Sequence, residues 1–233
     1  MRAYFKESAH PVYGAWVALV MFVFYEILLV ADPRALGNVR NAPEAWTRTL
    51  LYWVGVEPRY LTFVLITVSL LAIPWFHRHR ASPPRLKVFG GLILEALAWG
   101  AVSGIWIRWI LGNLFFSLGP QGMPLLTSMG LAIGAGLFEE LFFRVLLTGA
   151  LIWGISKIFR RPLPAALLAV LIASFFFSLS HYVGRLGDPF EFYSFMFRFM
   201  AGLWFTSLYI TRGFALTALT HAFYDLYLVL GMA

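Results

Sequence analysis

Long apolar runs, separated by short polar stretches, occupy most of the chain. A helix needs about 20 predominantly apolar residues to cross the hydrocarbon core of a bilayer. Seven runs come close to that length: Val12–Ala31, Tyr60–Phe76, Val88–Leu111, Leu125–Ile155, Leu163–Val183, Phe192–Ile210 and Phe214–Gly231. The fourth run is the longest, and a run of that length tilts or projects from the membrane. The pattern predicts an all-α fold, a polytopic transmembrane helical bundle with about seven spans.

The longest connection between the predicted spans, Asp32–Arg59, contains a helical pattern of its own. Its apolar positions share one helix face: Trp46, Leu50, Trp53 and Val54. Asn41 stands where a helix cap is favoured, and Pro43 stands in the first turn, where proline is tolerated. We therefore expect an interfacial amphipathic helix. The alternative is an ordered loop with scattered tryptophans.

Composition narrows the class of protein. Of the 233 residues, 61% are hydrophobic and 12% are charged, whereas a soluble domain has about 25% charged residues. The length predicts one transmembrane domain over residues 1–233, with the lipid bilayer as its main partner. The absence of cysteine excludes disulfides, thiolate nucleophiles and thiolate metal sites.

The basic residues indicate an orientation. Basic loops facing an anionic leaflet explain the net charge of +7 better than nucleic acid does, so no nucleic-acid partner is expected. With seven spans, one side of the membrane receives 10 lysines and arginines and the other receives 5. The positive-inside rule then places the N-terminus in the cytoplasm. We expect an integral protein of the plasma (inner) membrane.

Ionisable residues inside the predicted spans are informative because each costs about 2.5–3.5 kcal/mol at the centre of a membrane helix. Glu26 and Glu95 are isolated carboxylates, and we expect them to be protonated or bonded to a neighbouring helix. Arg108 and Arg198 lie near span ends, where their head groups can reach the interface, so structural roles are expected for both.

The fourth span differs because it carries three ionisable residues within two turns: Glu139, Glu140 and Arg144. Glu140 and Arg144 are four residues apart and can pair. Glu139 points about 100° away on an α-helix, so it requires water or another polar helix. The alternative is an ion pair that only locks the bundle, with Glu139 as its neighbour. Three glycines thin the helix just before this point, so that another helix can approach: Gly130, Gly134 and Gly136.

Two further polar points lie in later spans. His181 closes the fifth span, and His221 and Asp225 share a face of the seventh at a spacing of four residues. Carboxylates combined with imidazoles can activate water and transfer the resulting protons. No serine or threonine stands in an obvious nucleophile motif, so covalent catalysis is disfavoured.

The order of these motifs resembles a known family. Glu-Glu-x-x-x-Arg, then Phe-x-x-x-His, then His-x-x-x-Asp on successive later spans is similar to the CPBP family, which comprises CAAX prenyl proteases and bacteriocin-processing enzymes and is also labelled Abi. The resemblance covers roughly Leu125–Leu230, and residues 125–230 are the expected catalytic core. The earlier spans match only in being apolar.

The resemblance implies a role for each residue. Glu139 would act as general base on a water that His181 also holds. His221 and the residue four positions after it would stabilise the oxyanion. Glu140 and Arg144 would hold the helix and the carboxylate geometry.

Asp225 departs from the commoner family pattern, which has Asn at that position. An ionised Asp cannot donate a hydrogen bond to an oxyanion. Asp225 is therefore either protonated or serves to orient His221, and we expect the second.

The implied activity is that of an intramembrane endopeptidase, a hydrolase that cleaves near the terminus of a membrane-associated peptide or lipidated protein. A prenylated CAAX tail, a bacteriocin leader and a C-terminal sorting helix are all open as substrates.

The family is often called metalloproteases, but His-Glu-x-x-His is absent and the ligands would come from three helices. We therefore expect a cofactor-free, glutamate-driven hydrolase, with zinc as the alternative. The rival functions are a proton-coupled transporter and a non-enzymatic scaffold or immunity factor.

Overall fold

The computed structural model describes residues 2–32, 40–57, 60–78, 83–111, 123–159, 161–184 and 187–231, and these contain helices and no strand. The helices before the fourth predicted span are α1 (Arg2–Ser8), α2 (Pro11–Ala31), α3 (Ala42–Trp53), α4 (Leu61–His77) and α5 (Leu86–Leu111). The fourth span is a continuous helix in three parts: α6 (Leu125–Gly134), a π-helical segment (Ala135–Thr148) and α7 (Gly149–Ile158). The chain continues with α8 (Pro162–Ser180), α9 (Phe192–Arg212) and α10 (Phe214–Val229).

The prediction of an all-α polytopic bundle is confirmed. Among the described residues, four helices are long and apolar enough to cross a membrane: Pro11–Ala31, Leu86–Ile107, Leu125–Ile158 and Pro162–Ser180. Two other predicted spans correspond to shorter apolar helices, α4 with 17 residues and α10 with 16. The remaining one is α9, which has 21 residues. The number of spans therefore stays a prediction, whereas a helix is present at each predicted position.

Helix α10 occupies the centre of the bundle, where it packs against α2, α5, α6, α9 and the π segment. Its approach to the π segment is very close. A Cβ placed on Gly136 would lie only 2.5 Å from the carbonyl oxygen of Ala218 in α10. The predicted thinning of this span is therefore present, and it brings the two helices that carry most of the polar motif residues together.

Helix α3 is present, so the alternative of an ordered loop with scattered tryptophans is wrong. The helix begins directly after Asn41, as expected, but the Asn41 side chain does not cap it. The side-chain Nδ2 instead donates to the carbonyl oxygen of Leu131 in α6 at 3.2 Å. This is possible because Gly134 has no side chain where Asn41 packs. The capping prediction is therefore wrong: the bond to Leu131 fixes the direction of the amide, and its oxygen accepts no hydrogen bond from the described residues.

The apolar residues of α3 do not all face the same way. Trp46 faces inward and packs against Phe142 and Phe143 of the π segment, with ring centroids 5.5 and 6.4 Å away. Leu50 and Trp53 face outward and are exposed. An interfacial position for this outer face stays a prediction.

The isolated charges are paired, as expected for structural residues. Glu26 binds Arg40 at 2.8 Å, and Arg198 binds Asp188 at 2.5 Å. The Arg108 side chain lies outside the part of the chain that the structure describes.

Glu95 in α5 ties together three helices. It binds Arg212 at the end of α9 at 2.5 Å and accepts a hydrogen bond from Tyr4 in α1 at 2.8 Å. Burial and the adjacent Glu95 carboxylate raise the pKa of Tyr4, so its hydroxyl stays protonated and can donate. Glu95 therefore holds the N-terminal helix against the bundle.

Candidate active site

The π segment supplies the first three motif residues, Glu139, Glu140 and Arg144. Its backbone is wider than the α-helix assumed from the sequence, since π-helices bond residue i to i+5. The Thr148 hydroxyl follows the same spacing and donates to the carbonyl oxygen of Phe143 at 2.7 Å. The α-helical geometry predicted for this part of the span is therefore wrong. Local π-helical geometry is frequent at functional sites.

Glu140 and Arg144 form the predicted ion pair. Oε2 of Glu140 lies 3.0 Å from Nε of Arg144, and both side chains have 0% exposure. The guanidinium also lies 4.3 Å from the ring centroid of Phe177 in α8, close enough for a cation–π interaction. The buried cation thus contacts both a carboxylate and an aromatic ring.

The other oxygen of Glu140 reaches α10. Oε1 lies 2.6 Å from Nδ1 of His221. Because an ionised carboxylate can only accept, Nδ1 carries the proton and donates. The sequence analysis did not predict this bond, which joins residues 81 positions apart. Glu140 therefore links the first motif to the third.

Asp225 does contact His221, but not closely. Its Oδ2 lies 3.5 Å from Nε2 of His221, and the carboxyl is buried. The short bond to the imidazole belongs to Glu140, and the orienting role expected for Asp225 stays a prediction. The contact at i, i+4 follows from helix geometry, whereas the shorter bond depends on how α10 packs on the π segment.

His181 ends α8, where its backbone occupies the C-cap position. Its Nδ1 lies 2.9 Å from the carbonyl oxygen of Phe177. A carbonyl can only accept, so Nδ1 donates, and a neutral His181 has Nε2 as an acceptor. The Phe177 ring packs edge-on against the imidazole with centroids 5.1 Å apart. The Phe-x-x-x-His spacing thus holds both the orientation and the tautomer of His181.

Glu139 is half-buried beside these groups. Its charge acts on His181, on His221 and on Asp225, so the second carboxylate lies near polar groups of α8 and α10. The carboxylate that the sequence could not pair within its own helix therefore lies among the other motif residues.

The comparisons with known proteins agree with the motifs. Residues 119–227 match a family model described as type II CAAX prenyl endopeptidase Rce1-like. This part of the chain is similar to the CAAX prenyl protease family. We call residues 119–227 the Rce1-like segment. All three motifs lie inside it, so the resemblance drawn from them is confirmed. No curated protein and no solved structure gives a significant match to the chain. At the level of the family, the match and the long apolar helices support an intramembrane endopeptidase.

The described side chains of the Rce1-like segment do not fit a metal ion. Across the part of the chain that the structure describes, no group of three or more His, Cys, Asp or Glu side chains could hold one. Within the site, the two oxygens of Glu140 face Arg144 and His221, and Nδ1 of His221 is directed at Glu140. These three donor atoms are therefore directed at partners other than a metal ion.

One aromatic residue of the Rce1-like segment was missed by the sequence analysis. Phe205 in α9 stacks on His221, with centroids 4.5 Å apart and an interplanar angle of 15°. No motif or spacing marks it, because α9 is rich in phenylalanine throughout.

Proposed function

We propose that this protein is an intramembrane endopeptidase that hydrolyses a peptide bond near the terminus of a membrane-associated peptide or lipidated protein. The observation that carries the proposal is the position of Glu140, which contacts both Arg144 and His221 inside the Rce1-like segment. Residues far apart in the sequence thereby form one buried polar cluster. An ion pair that merely locks the bundle would require neither His221 nor the second carboxylate, Glu139.

Glu139 is the general base in the proposed mechanism. It takes a proton from a water molecule while the water oxygen attacks the carbonyl carbon of the scissile bond. Nε2 of His181 accepts a hydrogen bond from the same water, since Nδ1 donates to the Phe177 carbonyl. The carbon–nitrogen bond then breaks, and Glu139 returns the proton to the leaving amine.

His221 stabilises the oxyanion that forms at the attacked carbonyl. With Nδ1 bonded to Glu140, Nε2 can donate to the oxyanion only in the imidazolium form. Glu140 makes the shorter contact with the ring, at 2.6 Å, whereas Asp225 lies 3.5 Å from Nε2. We infer that Asp225 acts as a protonated donor at the position where Asn is commoner in the family.

The family description favours a prenylated CAAX tail as substrate. A decisive assay uses purified protein in lipid vesicles with a prenylated CAAX peptide and the same peptide without its prenyl group, with products identified by mass spectrometry. Cleavage of the prenylated peptide alone supports a CAAX substrate. Equal cleavage of both favours a leader or sorting protease, and cleavage of neither by folded protein favours a scaffold or transporter.

Glu139→Gln is the matching mutational test. Gln keeps the shape of the side chain but cannot take a proton from water, so we expect proteolysis to be abolished while expression stays near normal. Glu191→Gln is a suitable control, because this carboxylate is exposed at the N-cap position of α9. Comparable turnover by the wild type and Glu139→Gln would remove Glu139 as the base.

A further inference from the structure

We propose that Phe205 is a positioning residue that holds the imidazole plane of His221 during the reaction. The inference rests on the proposed proteolytic function, and it assigns a role to α9, which carries none of the three motifs. Phe205 does not contact the reacting atoms itself. It acts through His221.

The geometry of the stack is specific. The two rings are nearly parallel, with centroids 4.5 Å apart and an interplanar angle of 15°. Phe205 is 1% exposed, so its ring is enclosed by protein. A second ring, that of Phe177, lies edge-on to the same imidazole with centroids 6.4 Å apart and an interplanar angle of 75°. His221 thus has one aromatic ring against its face and another at a steep angle to it.

A close approach of α9 to α8 places Phe205 at this position. A Cβ placed on Gly202 would lie 3.0 Å from Cβ of Ser174 and 3.1 Å from Cδ1 of Phe177. These contacts would be tight, so glycine favours the close packing of the two helices. Phe205 follows Gly202 by three residues, on the same side of the helix.

His221 needs this support because one hydrogen bond does not define a ring plane. The bond from Nδ1 to Glu140 restrains one ring atom, but the second side-chain torsion of histidine is intrinsically broad. Rotation about that torsion would redirect Nε2, the atom that meets the oxyanion. The flat contact with Phe205 restricts the rotation, so Nε2 keeps one direction.

The test compares a variant that removes the ring with one that keeps it. Phe205→Leu should lower kcat roughly 10- to 100-fold, the order expected for misplacement of a catalytic group, while KM changes less than about twofold. Phe205→Tyr keeps the flat ring and should restore kcat relative to Phe205→Leu. Phe199→Leu makes the same substitution on the same helix, where the ring stacks on Phe195, and is the matched control with unchanged kcat.

Each variant is measured in vesicles beside the wild type, together with its melting temperature. Phe205→Met is measured in parallel, so that a second side chain without a ring is available if Phe205→Leu does not fold. Full kcat in either ringless variant would overturn the inference, as would equal losses of kcat in Phe205→Tyr and Phe205→Leu. Absence of hydrolysis by the wild type would instead contradict the proposed function.

Discussion

Arg144→Ala and Glu140→Gln should each destabilise the protein strongly, while combining Glu140→Gln with Arg144→Met should restore stability without activity. The two side chains have 0% exposure and lie 3.0 Å apart. Removing one partner of a buried ion pair leaves the other charge without compensation in a medium that solvates it poorly. Replacing both partners removes the uncompensated charge.

The structure predicts which of the two single variants loses more stability. Breaking a buried pair costs about 3–5 kcal/mol. Arg144→Ala should lie near the lower end, because Glu140 keeps its 2.6 Å bond to His221. Glu140→Gln should lie near the upper end, because Nη1 and Nη2 of Arg144 have no hydrogen-bond partner among the described residues. The remaining carboxylate whose charge acts on this guanidinium is that of Glu139.

The assay is thermal unfolding of the purified proteins in one lipid or detergent composition. A loss of 3–5 kcal/mol corresponds to a fall in melting temperature of roughly 6 to 20 °C for a protein of this size. The double variant should melt within about 5 °C of the wild type and show no proteolysis. An Arg144→Ala protein that has the melting temperature of the wild type and retains activity would refute the reasoning. A double variant as unstable as Glu140→Gln would refute it as well.

Three further predictions concern the site and the orientation of the chain. Asp225→Asn should keep activity within about tenfold across pH 5 to 9, because the amide donates at any pH and Glu140 orients His221; a loss of about 10²-fold would instead make Asp225 the orienting partner. Treatment with a zinc chelator should leave turnover unchanged, and a loss that added zinc reverses would contradict the metal-free mechanism. Because the chain has no cysteine, Lys6→Cys should react with an impermeant thiol reagent only from the cytoplasmic side, whereas labelling from outside would reverse the predicted orientation.

Apolar run length predicted the helices well, because the thickness of the bilayer sets how long such a run must be. The direction in which individual side chains point was harder to predict from the sequence. Trp46 and Trp53 belong to the same predicted stripe, yet Trp46 packs on the π segment and Trp53 is exposed. Seven-residue spacing places two side chains on neighbouring parts of a helix surface. It does not indicate where the edge of the protein lies.

Contacts within one helix could be predicted for the site, and contacts between helices could not. The pairs Glu140–Arg144 and His221–Asp225 were predicted from their i, i+4 spacing, and both are present. The first forms even though its backbone is π-helical. The bond between Glu140 and His221 joins residues 81 positions apart and depends on how their two helices pack. Glu95 and Arg212 are likewise 117 residues apart. Neither pairing has a signal in local spacing.

The interhelical bond also explains why position 140 requires a carboxylate. Oε2 of Glu140 faces Nε of Arg144, and Oε1 accepts from Nδ1 of His221. A glutamine has one accepting and one donating end, so its amide nitrogen would face a donor in either orientation. The consequence would be an unsatisfied buried donor beside Arg144 or a lost bond to His221. A side chain that accepts at both ends is therefore needed wherever one residue must hold a buried cation and also orient an imidazole.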